Sequence, residues 1–286
     1  MAEMDTMPTK EEVKKLFIEL TNKRIHSISL IPDGVDFDLY NVNDAYMLRF
    51  FKREDPFYNP RNERDVIRKI APLSLSEVVL YFDEENKIKL SRFIHGTHLY
   101  VDYLSIEQLR YAAKTLKKLH HAHLRVEETF KSLDRLYQYK KEAKTNEIPN
   151  IYERHVIRDV LNFLKKEEDK FTLCHNNLNR HNLLFKFDKM LLVSWQDAAM
   201  NHPYFDLASF LSANDIEDEE TIKKFLTFYF GSQFNSLKYR RIMLLYRFVD
   251  ILTFYWAKSM EKKSDDQKFN KIADAKLKRI LLAANK

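Results

Sequence analysis

Apolar positions recur along the chain at two spacings, and the change from one to the other divides it. Near the start, Val13, Leu16, Phe17 and Leu20 fall at helical spacing behind a capping box formed by Thr9 and Glu12. Short runs of strand character follow: His26 to Ile31, Phe37 to Val42 and Tyr46 to Phe51, the last two joined by a turn at Asn43-Asp44. A helix from about Arg61 to Ile70 turns Val66, Ile67 and Ile70 inward, and strands Glu77 to Phe82 and Lys87 to Arg92 flank a turn at 83–86. The pattern predicts a five-stranded antiparallel sheet with one helix between its third and fourth strands.

From Ser105 onward the spacing is helical. Ser105 and Gln108 make a second capping box, and Leu109, Ala112, Leu116 and Leu119 line one face. Helices are expected near 127–144, 151–168, 205–212, 219–230, 237–263 and 267–284, with one β-rich interruption over 171–195. The last of them reads as an amphipathic packing helix through Ile272, Ala275, Leu277, Ile280 and Leu281. The fold class is α+β, with a small sheet lobe over 1–95 and a larger helical lobe over 96–286, the border falling near Phe93 to Gly96. Ligands favour the cleft between two such lobes.

Composition removes several functions. Of 286 residues 45% are apolar and 31% charged, a globular balance, but glycine is scarce. Gly34, Gly96 and Gly231 are the whole supply, so neither a Walker A loop nor a GxGxxG fingerprint can be written. Cys174 stands alone and has no internal disulfide partner. The opening residues contain no apolar signal core, and no long apolar run suits a membrane span, so a soluble cytoplasmic protein is expected. The net charge of +6 is spread among interleaved acids and bases. That describes a solvated mixed surface rather than a nucleic-acid patch, and no nucleic-acid partner is expected.

The densest polar string is Cys174-His175-Asn176-Asn177-Leu178-Asn179-Arg180-His181-Asn182, set between Leu173 and Leu183. So many amides and imidazoles beside apolar strands need specific partners, which suits a site at a strand end. Residues 173–184 resemble the catalytic loop of the choline/ethanolamine kinase and aminoglycoside phosphotransferase families, His-x-Asp-Leu-x-x-x-x-Asn, with His175, Leu178 and Asn182 in register. Val193-Ser194-Trp195-Gln196-Asp197-Ala198-Ala199-Met200-Asn201-His202-Pro203-Tyr204-Phe205-Asp206-Leu207-Ala208 resembles the metal-binding segment of bacterial choline kinases. Weaker echoes lie at Tyr46-Met47-Leu48-Arg49, Asn62-Glu63, the Leu119-His120 helix end and Asp250 to Trp256.

The resemblance implies a protein-kinase-like fold, with ATP and Mg²⁺ as cofactors if the chain is active. It also implies roles residue by residue. Arg49 and Glu63 form the basic–acidic pair at the nucleotide phosphates, and Gly34 survives from the nucleotide loop, where Asp36 adds an unhelpful charge. Asn182 is a metal or phosphate contact, and Asp206 supports the catalytic-loop backbone. Tyr246, Asp250 and Trp256 face a cationic acceptor, although Thr253 stands where the family has a tryptophan. An aromatic face with a nearby carboxylate suits choline, ethanolamine or a related amine.

The reactive acids are missing from this pattern. Asn177 occupies the catalytic aspartate position, Ser194 the metal-binding aspartate position and Gln196 the position of the next acid. An amide cannot act as a carboxylate base, and a hydroxyl is a poor substitute for a carboxylate on Mg²⁺. The implied reading is a pseudokinase that binds a nucleotide, a small amine or a protein partner. The rival is an active small-molecule phosphotransferase with altered ligands, Asp197 or Asp188 supplying the carboxylate. His120, His121 and His123 are not a metal site on this reading, because adjacent helical residues point apart. Cys174 reads as a small buried apolar residue.

Overall fold

A computed structural model describes residues 8–32, 36–52, 55–98, 104–264 and 266–285. Helix α1 (Lys10–Thr21) starts at the Thr9–Glu12 capping box and stops where Asn22 turns left-handed. Its Val13 and Phe17 pack on one face of the sheet, against Tyr40, Val42, Tyr46, Leu48, Ile88 and Leu90. The sheet is antiparallel, in the order β1 (Ile28–Ile31), β2 (Phe37–Val42), β3 (Tyr46–Phe51), β5 (Ile88–Arg92), β4 (Val79–Asp83). Asn43 and Asp44 both have positive φ, the conformation that joins β2 to β3 with the correct twist. In this register Arg49 of β3 lies opposite Lys89 of β5.

Helix α2 (Pro60–Ile70) begins at Asn59, whose side chain accepts the Asn62 N–H, with proline in the first turn. Its Val66, Ile67 and Ile70 join the core of the helical part of the molecule rather than that of the sheet. Glu63, on the same helix, is thereby carried inward under β3.

The sheet does not end the β-structure at the lobe border. Directly after it, β6 (Thr97–His98) pairs with β8 (Leu183–Lys186), which pairs with β9 (Lys189–Leu192). A Cβ on Gly96 would lie 2.9 Å from the Phe185 carbonyl oxygen, so this crossing needs glycine. A second small ladder joins β7 (Thr172–Cys174) to β10 (Ala199–Asn201).

The helices are α3 (Ile106–His120), α4 (Ser132–Ala143), α5 (Asn150–Lys166), α6 (Pro203–Ala213), α7 (Glu219–Phe230), α8 (Ser236–Glu261) and α9 (Lys268–Ala284). Helix α8 is the axis, packed on by α4, α5, α6 and α9. Helix α4 starts later than the spacing predicts because residues 128–130 are extended. Met200 N donates to Glu128 O, and Phe130 N donates to Met200 O. The buried face of α9 also differs from the expected one. It carries Phe269, Ala273, Lys276, Arg279 and Ile280, while Leu281 is exposed. The two basic residues turn inward because acids await them, Asp215 for Lys276 and Asp250 for Arg279. No described helix is long and apolar enough to cross a membrane.

Candidate functional site

The polar string lies between β7 and β8 and is organised by one buried carboxylate. Asp206, in the first turn of α6, accepts the backbone N–H groups of His175 at 2.9 Å and Asn176 at 2.7 Å. His120 Nε2 lies 3.0 Å from the same carboxylate, and Tyr229 holds the other ring nitrogen. The expected backbone-supporting role of Asp206 is the arrangement seen. Asn176 takes a positive φ, and its amide is shared among the carbonyls of Cys174, Asp197 and Ala199.

His175 is buried against Trp195, ring centroids 4.7 Å apart. Burial pulls its pKa below the usual histidine value, so the ring is neutral near pH 7. A neutral ring with its proton on Nε2 fits both contacts: Nε2–H donates to Val193 O at 2.9 Å, and Nδ1 accepts from Asn177 N at 3.4 Å. His175 therefore ties the polar string to the segment that follows β9. Asn182 does the same, donating to Asn177 O at 2.9 Å while its own carbonyl accepts Val193 N.

Asn177 is half-buried. Its Nδ2 donates to Asp197 Oδ2 at 2.9 Å, and its Oδ1 accepts from Asn179 at 2.7 Å. The other Asp197 oxygen is held by Arg135 Nη2 at 2.9 Å. Asp197 is thus the carboxylate that the Asn177 side chain binds, and both its oxygens are engaged. Ser194 has φ 66° and opens the short turn Trp195–Asp197, whose tryptophan is fully buried and donates to Ser76 Oγ and Leu192 O. The side-chain oxygen of Gln196 is buried with no hydrogen-bond partner among the described residues.

The Arg49–Glu63 pair forms as expected, and it is sealed. Two parallel bonds of 2.7 Å join the guanidinium to the carboxylate, and the side chains are 2% and 0% exposed. Phe37 covers the guanidinium at 4.3 Å, Tyr58 donates to Glu63 at 2.8 Å, and Lys89 bridges Glu63 to Glu77. Burial alone would raise the Glu63 pKa, but Arg49 and Lys89 outweigh it and bring it to about 2. Gly34 lies outside the described residues.

Of the residues expected around an acceptor, Tyr246 and Asp250 are buried and engaged within the chain, and Trp256 is partly buried. Asp250 is 3% exposed, accepts from Ser212 Oγ at 2.7 Å and is paired with Arg279 of α9. The same guanidinium lies 5.1 Å from the Tyr246 ring, and Trp256 packs edge-on to Phe269. These side chains bind α9 to α8, because an internal arginine supplies the cation that the sequence reserves for a ligand.

Mg²⁺ fits this site poorly. It takes carboxylate oxygens together with water and phosphate, whereas the positions here offer the Ser194 hydroxyl, the three amides of Asn177, Asn182 and Gln196, and a carboxylate already bound by Arg135. Residues His120, Cys174 and Asp206 place ligand atoms within 4.8 Å of one another. Each is committed elsewhere: Asp206 holds the loop, His120 bonds Tyr229, and the Cys174 thiol donates to Asn201 O. Burial pushes that thiol well above its usual pKa, so it is no thiolate ligand.

Sequence reasoning missed Arg135. It lies in a stretch with no motif, and only the fold brings α4 beside Asp197. The signal that existed was Asp197 itself, an acid one residue beyond Gln196, where the resemblance implies one.

Comparison with known proteins places the chain in a family and a fold. The family model described as "Phosphotransferase enzyme family" matches residues 27–243. The chain is 25% identical over 269 residues to Protein LicA of Haemophilus influenzae, covering 89% of this chain and 74% of that one. Among solved structures, a choline/ethanolamine kinase family protein from Mesorhizobium loti superposes with a TM-score of 0.77 at 18% identity, over 95% of this chain and 93% of that one. LicA in complex with AMP gives 0.74 at 19% identity, over 98% and 99%.

Proposed function

Since the chain belongs to the phosphotransferase enzyme family, we propose that it keeps the scaffold of a choline/ethanolamine kinase-like protein but performs no phosphotransfer. On this reading it is a pseudokinase that binds a small amine, a nucleotide or a protein partner. One observation carries the proposal: the acid to which the Asn177 side chain donates, Asp197, is bound on one oxygen by Arg135 and on the other by Asn177 itself. A general base needs a free lone pair facing the substrate hydroxyl, and Mg²⁺ needs carboxylate oxygen that no cation already holds. Arg49 supports the same reading, because Phe37 lies over its buried guanidinium and a phosphate would have to displace that ring to reach it.

A second reading rests on the same carboxylate. Asp197 approaches within 2.9 Å of the former base position, so a relocated acid would give an active phosphotransferase if Arg135 released it. The proposed function is tested by titrating ATP calorimetrically with and without Mg²⁺, and by assaying transfer from labelled ATP to choline and ethanolamine. The expected result is no Mg²⁺-dependent gain in affinity and no labelled product. Affinity that rises tenfold with Mg²⁺, together with product that disappears in Asp197→Asn, establishes the second reading instead.

A further inference from the structure

Helices α4 and α5 leave a groove between their outer faces. It holds about 660 Å³, within the range of ligand pockets, and is lined by Tyr137, Lys140, Glu153, Arg154, Arg158 and Leu161, among others. None of its lining residues also lines the cleft beside Asp197. Three of the large apolar side chains that the molecule exposes meet there: Ile151 is 70% exposed, Tyr137 55% and Leu161 41%. Along α5 the outward positions 151, 154, 158 and 161 run apolar, basic, basic, apolar. An ordinary solvated face is polar throughout, and apolar groups gathered in a groove mark a binding surface.

The charge left in this groove is of one sign. Glu153 is the acid among its lining residues, and Lys140 holds both of its oxygens, at 2.8 and 2.6 Å. Arg154 donates to the Asn150 amide oxygen at 3.2 Å and is in no ion pair among the described residues. Arg158 pairs with Asp159 at 2.9 Å, both side chains about half exposed or more. Such a surface pair contributes little, so it yields to a better-placed anion. Arg154 and Arg158 are one turn apart on one face, close enough for both guanidiniums to bond a single carboxylate. Leu161 lies only about 4.5 Å further along the helix axis than Arg158, so a short apolar tail reaches it.

We propose that the α4–α5 groove binds a free amphiphilic anion, a medium-chain alkyl carboxylate. Its head sits between Arg154 and Arg158, and its tail covers Tyr137, Ile157 and Leu161. Both parts are needed: a bare anion leaves the apolar wall exposed, and a bare alkyl chain leaves the guanidiniums unpaired beside it. The ligand is opposite in sign to the amines of the proposed function and is measured without nucleotide, so the two readings fail separately.

The test is calorimetric titration of sodium octanoate at constant ionic strength, with sodium acetate as the head alone and 1-octanol as the tail alone. Wild type is expected to bind octanoate saturably and at least tenfold more tightly than either control. Arg154→Gln/Arg158→Gln, surface changes to a good helix former, is expected to weaken octanoate at least tenfold, and Leu161→Gln at least threefold. Each variant is first checked for folding by circular dichroism. No saturable octanoate binding overturns the proposal. Acetate binding as tightly as octanoate overturns it in favour of a plain anion site, and octanol binding as tightly overturns it in favour of an apolar patch. Octanoate affinity unchanged in the folded double variant places the ligand elsewhere and overturns it too. Should the double variant fail to fold, Arg158→Gln and Leu161→Gln are titrated singly, and octanoate affinity unchanged in both is the overturning result.

Discussion

At Asp250 a carboxylate that the sequence offers to a ligand is bound by an arginine 29 residues further along the chain. Burial pushes its pKa up, while Arg279, Lys276 and the Ser212 hydroxyl act to hold the charged form. Removing one partner of such a pair leaves a buried charge uncompensated, which costs roughly 3–5 kcal/mol. Arg279→Met is therefore expected to lower the unfolding free energy by about that amount in urea denaturation. The double variant Arg279→Met/Asp250→Asn should lose clearly less than the two single losses added together. Strict additivity would show that the pair does not act as a unit. The same pair marks what is legible residue by residue. Asp206, His175 and the Arg49–Glu63 pair stand where the motifs imply. Asp250 and Tyr246 match a motif too, but no motif records that α9 brings a guanidinium to them.

Among the elements, long periodic segments are legible to within a few residues: β2, β3 and α7 have the expected bounds, and α2, α5, α6 and α8 nearly so. The two-residue β6 and three-residue β10 escape such a reading, since so few positions cannot display a period. Their pairing partners lie far away in sequence, and one of them, β10, leads directly into His202 and α6. His202 caps that helix, its Nδ1 accepting the Tyr204 N–H at 3.1 Å. Burial beside Phe163 and Tyr204 lowers its pKa to about 3. The folded value lies below the unfolded one near 6.5, so the folded state binds this proton less readily than the unfolded state does. The stabilisation is complete above about pH 6.5 and is lost as pH falls from there toward 3. His202→Asn keeps a good cap but cannot titrate. Unfolding free energy measured between pH 7 and pH 4 should fall more steeply for wild type than for this variant, and parallel curves would contradict the assignment. His175, also depressed by burial, and carboxylates held low in the folded state, Glu63 and Glu77 among them, contribute to a slope that remains.

Across the whole molecule the sheet and the helices meet through buried polar contacts rather than an apolar seam alone. Asn62 donates to Ala198 O at 2.7 Å, Trp195 to Ser76 Oγ at 2.8 Å, and Leu192 N to Leu75 O at 2.8 Å. The segment that resembles a metal-binding one is thus part of the joint between sheet and helices, which constrains what restoring its acids can do. If the chain had merely lost them, Asn177→Asp with Ser194→Asp would recover activity. An aspartate at 177 would instead place two carboxylates where an amide now donates to Asp197 across 2.9 Å, with Arg135 as the only cation paired there among the described residues. At that separation the two charges repel strongly in a low-dielectric setting, and one of them protonates or moves. Arg49 meanwhile stays covered by Phe37, so a phosphate reaching it has to move that ring. The double variant is therefore expected to yield no labelled phosphocholine or phosphoethanolamine from ATP, and to unfold at lower urea concentration than wild type. Turnover from this variant would show that the cleft still admits nucleotide and that the scaffold lost only its acids. Absence of turnover would place the block in the contacts that Asp197 makes with Arg135 and Asn177 rather than in the missing acids alone.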